Sequence, residues 1–178
     1  MRIRRALPSD APGIARVDVE SWRSTYVGLL PDDLLASYDY SERERARRIG
    51  IADESTITFV AEHKIDGIVG FLSGGPARMD DMPYAGELYA IYLLEQHQRQ
   101  GIGRRLVGEL CAWLLSQGHA SMYTWVLDKN PSRRFYESLG GTEFRRETMT
   151  LRGSDVVEVA YGWNDISPLA ESQQVTSE

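Results

Sequence analysis

The sequence of 178 residues predicts a single mixed α/β domain. Runs rich in β-branched and apolar residues alternate with segments in which the apolar residues recur at helical spacing. Hydrophobic residues make up 42% of the chain and charged residues 26%, which is enough apolar material for one buried core. Internal repeats and linker-like stretches are absent from the sequence. This composition is atypical of disordered, collagen-like and coiled-coil chains.

Charge and cysteine content exclude several classes of protein. The net charge of −6 disfavours a general nucleic-acid binder, so we expect no nucleic-acid partner. Cys111 has no second cysteine to pair with, which favours a reducing compartment, and neither cysteine nor histidine spacing predicts a metal site. The N-terminus lacks the apolar segment of a signal peptide, and no run approaches the roughly 20 apolar residues of a membrane span. We therefore expect a cytoplasmic protein without a membrane partner.

The first half of the chain predicts a strand, two or three helices and a hairpin. Residues 2–6 alternate in character, as in a short strand. Ser9 or Asp10 can cap a helix that runs to about Thr25. Two further short helical patterns and then two β-branched runs follow this helix. The helical patterns occupy residues 28–38 and 41–50, and the hairpin occupies residues 55–64 and 65–75.

The second half begins with a strand that is apolar on both faces, which is typical of a buried central position. Helical spacing follows it up to Gly118, and a second helix has Asn130 at its cap and Gly140 at its end. Residues 164–178 lack an apolar period and are predicted to be a disordered tail. The predicted elements are strands at 87–94, 120–127, 142–151 and 155–163, with a turn containing Gly153, and helices at 101–118 and 130–141.

The segment HQRQGIGRRL, residues 97–106, connects the central strand to the next helix. A strand that passes through glycines into a helix N-terminus brings free backbone N–H groups and the positive end of the helix dipole together, and such a site binds phosphate. The Walker pattern is absent from the chain, which excludes a P-loop NTPase. The dinucleotide fingerprint fails because Leu106 stands at its third glycine, which disfavours a Rossmann oxidoreductase.

The remaining pattern, Gln98-x-x-Gly101-x-Gly103, follows the central strand and precedes the helix at 130–141 by about thirty residues. This arrangement resembles the GNAT superfamily of N-acetyltransferases over residues 2–163. The resemblance implies a mixed, mostly antiparallel sheet of six to seven strands flanked by about four helices, with a splayed central strand pair that binds the cofactor. It also implies one acetyltransferase domain at residues 1–163. Glu95 stands where the family commonly has proline, and Gln98 where it often has arginine, so the loop differs in detail.

The resemblance implies acetyl coenzyme A (acetyl-CoA) as co-substrate, with its diphosphate held by the glycine loop. Gly101 and Gly103 allow the backbone to approach a diphosphate without an intervening Cβ. A main-chain N–H around Ile91 to Leu93 would polarise the thioester carbonyl, where the strand bulges away from its neighbour. The expected cofactor-binding residues are Ile91, Leu93, Gln98, Arg99, Gln100, Gly101, Ile102, Gly103, Arg104, Asn130, Arg133 and Tyr136.

Two residues are candidates for the chemistry. Tyr136 follows Asn130 by six residues, at the position of the family's general-acid tyrosine, and a phenol with a pKa of about 10 suits a leaving thiolate. Glu87 begins the central strand and is a candidate base for the proton of the amine. The alternatives are that Tyr136 is a packed aromatic residue and Glu87 a surface carboxylate.

Trp22 and Tyr26 resemble the acceptor-site wall of related members, with core packing as the alternative. The expected acceptor is a primary amine on a small molecule or a protein, attacking directly in a ternary complex. The acidic balance favours cationic acceptors such as polyamines, aminoglycosides or lysines. Two other functions stay open: a non-catalytic CoA-binding or sensor module of this fold, and an acyltransferase that uses a longer acyl-CoA. A homodimer also stays open, since dimers are frequent in the family.

Overall fold

Seven strands form one sheet in the computed structural model, which describes residues 1–151 and 154–171. The spatial order is β1-β2-β3-β4-β5-β7-β6, and the pair β4–β5 is parallel whereas the other neighbours are antiparallel. This confirms the predicted mixed, mostly antiparallel sheet. The strands are β1 Arg2–Arg5, β2 Ile57–His63, β3 Gly67–Pro76, β4 Gly86–Leu93, β5 Met122–Leu127, β6 Thr142–Leu151 and β7 Ser154–Trp163.

Six α-helices accompany this sheet in the described residues, against the four or so that were predicted. The first begins at Ala11 because Pro8–Asp10 forms a 3-10 turn. Apolar side chains of α4 and of the strands form the main core, where Leu72, Leu88, Leu106 and Leu110 are almost fully buried. Each such side chain contributes about 1.5–3 kcal/mol on burial. The helices are α1 Ala11–Tyr26, α2 Asp32–Ala36, α3 Tyr40–Ala52, α4 Ile102–Ser116, α5 Arg133–Ser138 and α6 Ser167–Glu171.

The segment after β7 differs from the predicted tail. The Ile166 amide donates to the carbonyl of Ala120 at 3.1 Å, and the side chains of Ile166 and Leu169 are buried in the main core. Helix α6 packs against α4, so residues 164–171 are part of the domain. Two anchoring residues are too few to give a periodic pattern, which explains why the sequence did not show it. Residues 172–178 and the predicted turn at Gly153 lie outside the described residues.

The strands β4 and β5 pair only at the start of β4, through Gly86 with Met122 and Glu87 with Tyr123. A bulge in the β3–β4 register leaves Tyr89 without a partner, and bulges of this kind increase local twist. Beyond Glu87, β4 pairs with β3 alone. We call the resulting gap between residues 88–93 of β4 and residues 124–127 of β5 the fork. It confirms the predicted splayed pair, although the bulge lies before Ile91 rather than between Ile91 and Leu93.

Candidate active site

The open edge of β4 carries backbone groups that face the fork. The Leu94 amide donates to the carbonyl of Val69 at 2.9 Å, so Leu94 directs its backbone towards β3. In an antiparallel pair this direction alternates from residue to residue, so Ile91 and Leu93 direct their N–H and C=O groups away from β3. Gln98 confirms this orientation, because its side-chain amide donates to the carbonyl of Leu93 at 3.0 Å. The two predicted carbonyl-polarising residues therefore present their N–H groups to the fork.

The glycine loop leads from this edge into α4. Arg99 has φ +60° and Gly101 has φ +77°, so the chain turns twice through the left-handed region. Gln100 steadies the loop, since its side chain donates to the carbonyl of Gln96 at 3.1 Å. The N–H groups of the first turn of α4 have no partner within the helix. The loop therefore delivers free donors and a helix N-terminus to the mouth of the fork.

Gly103 lies where α4, α5 and β4 meet. A Cβ added to Gly103 would lie 3.2 Å from the Phe135 ring and 3.6 Å from Cδ1 of Leu93. Arg104 links the same two helices, because its guanidinium donates to the carbonyl of Ser138 at 3.1 Å. Ile102 is buried in the core and holds the start of α4 in place. The structure thus brings the two predicted motifs into contact.

Tyr136 projects from α5 into the core and is only 6% exposed. Its ring makes edge contacts with Phe135 and Trp163. Its hydroxyl makes a hydrogen-bonding contact with Thr124, and the Thr124 hydroxyl donates in turn to the carbonyl of Leu88 at 3.0 Å. Burial raises the pKa of Tyr136 well above its ordinary value. A neutral phenol therefore lies at the point where β4 and β5 separate.

Asn130 stabilises the turn before α5. Its Oδ1 accepts from the Ser132 amide at 2.8 Å, and its Nδ2 lies 3.4 Å from the Tyr26 hydroxyl. Helix α5 begins at Arg133 rather than directly after the cap. Tyr26 also makes a hydrogen-bonding contact with Tyr92, and burial raises the pKa of both phenols. Tyr26, at the end of α1, therefore contacts both Asn130 and Tyr92, the residue between Ile91 and Leu93.

Trp22 and Tyr26 lie side by side, with ring centroids 4.4 Å apart. Tyr38 stacks on Trp22 with ring centroids 4.5 Å apart and an interplanar angle of 7°. Both predicted acceptor-wall residues are thus near Tyr92 and the fork. Sequence reasoning missed Tyr38, because it lies between two short helices where no period marks a buried side.

Glu87 lies at the paired end of the fork and is 2% exposed. Its carboxylate accepts from the Arg78 amide at 3.0 Å, from the Arg78 guanidinium at two nitrogens, and from the Tyr123 hydroxyl at 2.8 Å. Burial and the bond to Glu87 raise the pKa of Tyr123. These contacts favour an anchoring role for Glu87 over the expected role as a base. Arg78 was missed because it lies in a loop without a motif.

Arg133 differs most from expectation. Its Nη1 lies 2.6 Å from Oδ1 of Asp128, its Nη2 lies 3.0 Å from Glu143, and its Nε donates to the Tyr161 hydroxyl at 3.0 Å. Every nitrogen of the guanidinium is occupied by groups of β5–β7 and their connections. The structure therefore places Arg133 in an ion-pair network whose acidic members converge only after folding.

Two further observations concern helix length and the grouping of metal-ligating side chains. Within residues 1–151 and 154–171, none of the helices has the length and apolar character needed to cross a membrane. In the same part of the chain, no group of three or more His, Cys, Asp and Glu side chains is arranged to hold a metal ion.

Comparisons with known proteins point to one family. The family model described as FR47-like protein matches residues 68–150. The uncharacterized N-acetyltransferase YuaI of Bacillus subtilis (strain 168) is 40% identical over 171 residues, which cover 94% of this chain and 95% of that protein. The structure of a ribosomal-protein-alanine N-acetyltransferase from Brucella melitensis matches with a TM-score of 0.71 at 20% identity, over 92% of this chain and 99% of that one. The PaiA N-acetyltransferase from Thermoplasma acidophilum, in complex with coenzyme A, matches with a TM-score of 0.67 at 19% identity, over 91% and 98%.

Proposed function

The chain belongs to the GNAT superfamily of N-acetyltransferases, and from this premise we propose that it transfers an acetyl group from acetyl-CoA to a primary amine by direct attack in a ternary complex. The observation that carries the proposal is the position of Tyr136. Its buried hydroxyl lies at the start of the fork, next to the only part of β4 whose backbone N–H groups lack a neighbouring strand in the described residues.

The residues around the fork fit coenzyme A. Gly101 and Gly103 expose the N-terminus of α4 to a diphosphate, which accepts hydrogen bonds from backbone N–H groups. Arg99 and Arg104 bring positive charge to the same end of the helix. The unpaired edge of β4 offers backbone groups to an extended amide-containing arm, which can pair with it like an added strand.

Bound acetyl-CoA supplies an activated thioester. The N–H groups of Ile91 and Leu93 are positioned to stabilise an oxyanion, because fixed donors aimed at developing charge lower the barrier. Tyr136 keeps its proton at neutral pH and can donate it to the leaving thiolate. The proton balance closes without a separate protein base, because the proton that the neutral amine loses on forming the amide returns to the Tyr136 phenolate, which has given its own proton to the thiolate. Glu87 is therefore assigned to holding the paired end of the fork.

Thiol release tests the proposal. The purified protein, acetyl-CoA and a broad panel of amines are mixed, and free coenzyme A is measured with a thiol reagent. Tyr136→Phe is expected to lower kcat by about 100-fold with little change in the Kd of acetyl-CoA, because only the proton donor is removed. Tyr89→Phe is the matched control, since the Tyr89 hydroxyl donates to the carbonyl of Pro76 outside the fork. Tight binding of acetyl-CoA without turnover of any amine would support the non-catalytic module instead.

The acyl group is tested in the same assay. Acetyl-CoA, succinyl-CoA and a longer acyl-CoA are compared at equal concentration with one accepted amine. We expect acetyl-CoA to have the highest kcat/KM, because the buried rings of Tyr26, Tyr92 and Tyr136 lie close to one another beside Thr124 and leave less room for a longer acyl chain. A higher kcat/KM for a longer acyl-CoA would replace acetyl transfer with the wider acyltransferase function.

A further inference from the structure

A buried carboxylate on α1 is shared by two arginines of α3. Oδ2 of Asp18 accepts from Nε of Arg43 at 2.9 Å and from Nε of Arg47 at 2.8 Å. The Asp18 side chain is fully buried, whereas the Arg43 and Arg47 side chains remain 24% and 17% exposed. Two guanidinium groups against one carboxylate leave one uncompensated positive charge, and it lies where solvent can reach it.

Three buried polar atoms beside this cluster have no hydrogen-bond partner in the described part of the chain: Oδ1 of Asp18, Oγ of Ser21 and Nε1 of Trp22. They belong to neighbouring positions on one stretch of α1. A buried polar atom without a partner destabilises a protein by about 1–3 kcal/mol, so native structures rarely keep several in one place. Partners for these atoms therefore come from water or from a bound ligand.

The cluster adjoins the fork. The Arg47 guanidinium lies 4.6 Å from the centroid of the Phe71 ring, and the Phe71 ring lies 5.8 Å from that of Tyr92 on the neighbouring strand. Trp22 reaches the same place through its ring contact with Tyr26, which makes a hydrogen-bonding contact with Tyr92. Tyr92 lies between Ile91 and Leu93, whose N–H groups face the fork. The surplus charge is therefore separated from the proposed reaction centre by the rings of Phe71 and Tyr92.

We propose that Arg43 and Arg47 bind a carboxylate of the acceptor, so that the acceptor is amino-acid-like and carries both an amine and a carboxylate. This inference rests on the proposed acetyl transfer to an amine. One surplus positive charge matches the single charge of a carboxylate, and guanidinium groups bind carboxylates through paired N–H donors. The unpartnered Ser21 hydroxyl and Trp22 N–H are further donors for this carboxylate, and the unpartnered Oδ1 of Asp18 is an acceptor for an N–H of the same ligand. The local charge thus opposes the cationic acceptors that the overall acidic balance favours.

Matched acceptors test the proposal. A panel of L-amino acids is assayed for coenzyme A release, each beside its α-amide and its decarboxylated amine. We expect the best amino acid to exceed both partners at least tenfold in kcat/KM. Equal or better turnover of the amide and the decarboxylated amine would overturn the inference and leave the proposed function intact.

Two variants with opposite expected effects separate recognition from a structural role. Arg43→Gln removes the surplus charge and is expected to raise the KM of the amino acid at least tenfold, with the KM of acetyl-CoA unchanged. Asp18→Asn removes the competing carboxylate and is expected to lower the KM of the amino acid. If Asp18 and Arg43 only stabilise the fold, both variants should raise the KM of the amino acid. That result would contradict the proposal. Thermal unfolding of each variant identifies any that fail to fold, and Arg43→Lys then takes the place of Arg43→Gln with a smaller rise expected.

A binding measurement covers the case in which no amine is acetylated, which would count against the proposed function alone. Each amino acid of the panel and its α-amide are titrated separately into the full chain. The rise in unfolding temperature that the amino acid causes is then compared with the rise that its amide causes. Stabilisation that needs the carboxylate and is lost in Arg43→Gln supports the inference. Equal stabilisation by the amide, or none by any amino acid, overturns it.

Discussion

Thr124 of β5 donates its hydroxyl hydrogen to the carbonyl oxygen of Leu88 of β4 at 3.0 Å, where the two strands separate. A regular parallel ladder would satisfy this carbonyl with a backbone N–H of β5. The side chain of Thr124 therefore ends the β4–β5 pairing, and it also contacts the hydroxyl of Tyr136. One threonine connects the opening of the sheet to the proposed proton donor.

Replacement of Thr124 by valine is expected to destabilise the protein and slow turnover. The valine has nearly the same shape but leaves the buried carbonyl of Leu88 without its side-chain partner, which lowers the free energy of unfolding by about 1–3 kcal/mol. Urea unfolding measures this change, and coenzyme A release measures kcat. Thr124→Ser keeps the hydroxyl and should retain most of both properties. A Thr124→Val protein with unchanged stability and kcat would show that the bond is dispensable.

The two ends of α4 provide a matched test of the glycine loop. Gly101 has φ +77° and Gly118 has φ +85°, and a Cβ at either position meets no atom within 4 Å. Alanine at each position should lower stability similarly, by about 1 kcal/mol, because L-residues disfavour the left-handed region. Only Gly101→Ala is expected to raise the KM of acetyl-CoA, about tenfold, because only that end faces the fork. An equal KM of acetyl-CoA for the two variants would show that the diphosphate does not bind at this loop.

Replacement of Glu87 by glutamine distinguishes an anchoring residue from a base. The change weakens the contacts to Arg78 and Tyr123 and is expected to lower stability by about 1–3 kcal/mol. Because Arg78 is largely exposed, the smaller end of that range is expected. The anchoring role predicts a loss in kcat of less than about tenfold and an unchanged pH profile, whereas loss of a base typically lowers kcat by about 100-fold or more. A loss of that size, together with a vanished acidic limb in the pH profile, would restore Glu87 as the base.

Substitutions of Arg133 and Arg99 are expected to have different effects, although the sequence predicted that both residues bind the cofactor. Arg133→Gln removes the contacts to Asp128 and Glu143 and should lower stability by about 1 kcal/mol, since these pairs are partly exposed. Its KM for acetyl-CoA should stay unchanged. Arg99→Gln should leave stability nearly unchanged and raise that KM about fivefold, which corresponds to roughly 1 kcal/mol. Initial rates at varied acetyl-CoA, with thermal unfolding beside them, check both expectations.

The pH dependence of turnover follows from Tyr136. Burial raises its pKa above the ordinary value of about 10, so the phenol stays protonated where a solvated tyrosine would ionise. A proton donor with a raised pKa keeps its activity to higher pH, so we expect no fall in kcat between pH 8 and about pH 10 that depends on Tyr136. Comparison of the kcat profiles of the wild type and Tyr136→Phe at saturating substrate checks this. An alkaline fall near pH 9 that disappears in the variant would show that the phenol is not desolvated during turnover.

The family, the order of strands and helices and the glycine loop were readable from the sequence because each depends on local signals. Gly101 and Gly103 after a strand, and Asn130 before a helix, are requirements of backbone geometry that a short stretch of chain must meet by itself. The positions of these two motifs along the chain carried the resemblance to the GNAT superfamily, and that resemblance implied that they meet at a splayed strand pair.

Contacts between distant residues were decided by the tertiary structure alone. Arg133 is as basic as Arg99 in the sequence, and only folding brings Asp128, Glu143 and Tyr161 to its guanidinium. Glu87 lies in the alternating pattern of a strand, and only folding brings Arg78 and Tyr123 to its carboxylate. The charge imbalance at Asp18 likewise appears only when α3 packs on α1. Helical and strand periods report which side of an element is buried, but the partner of a charge depends on chain segments tens of residues away, and no local pattern encodes that choice.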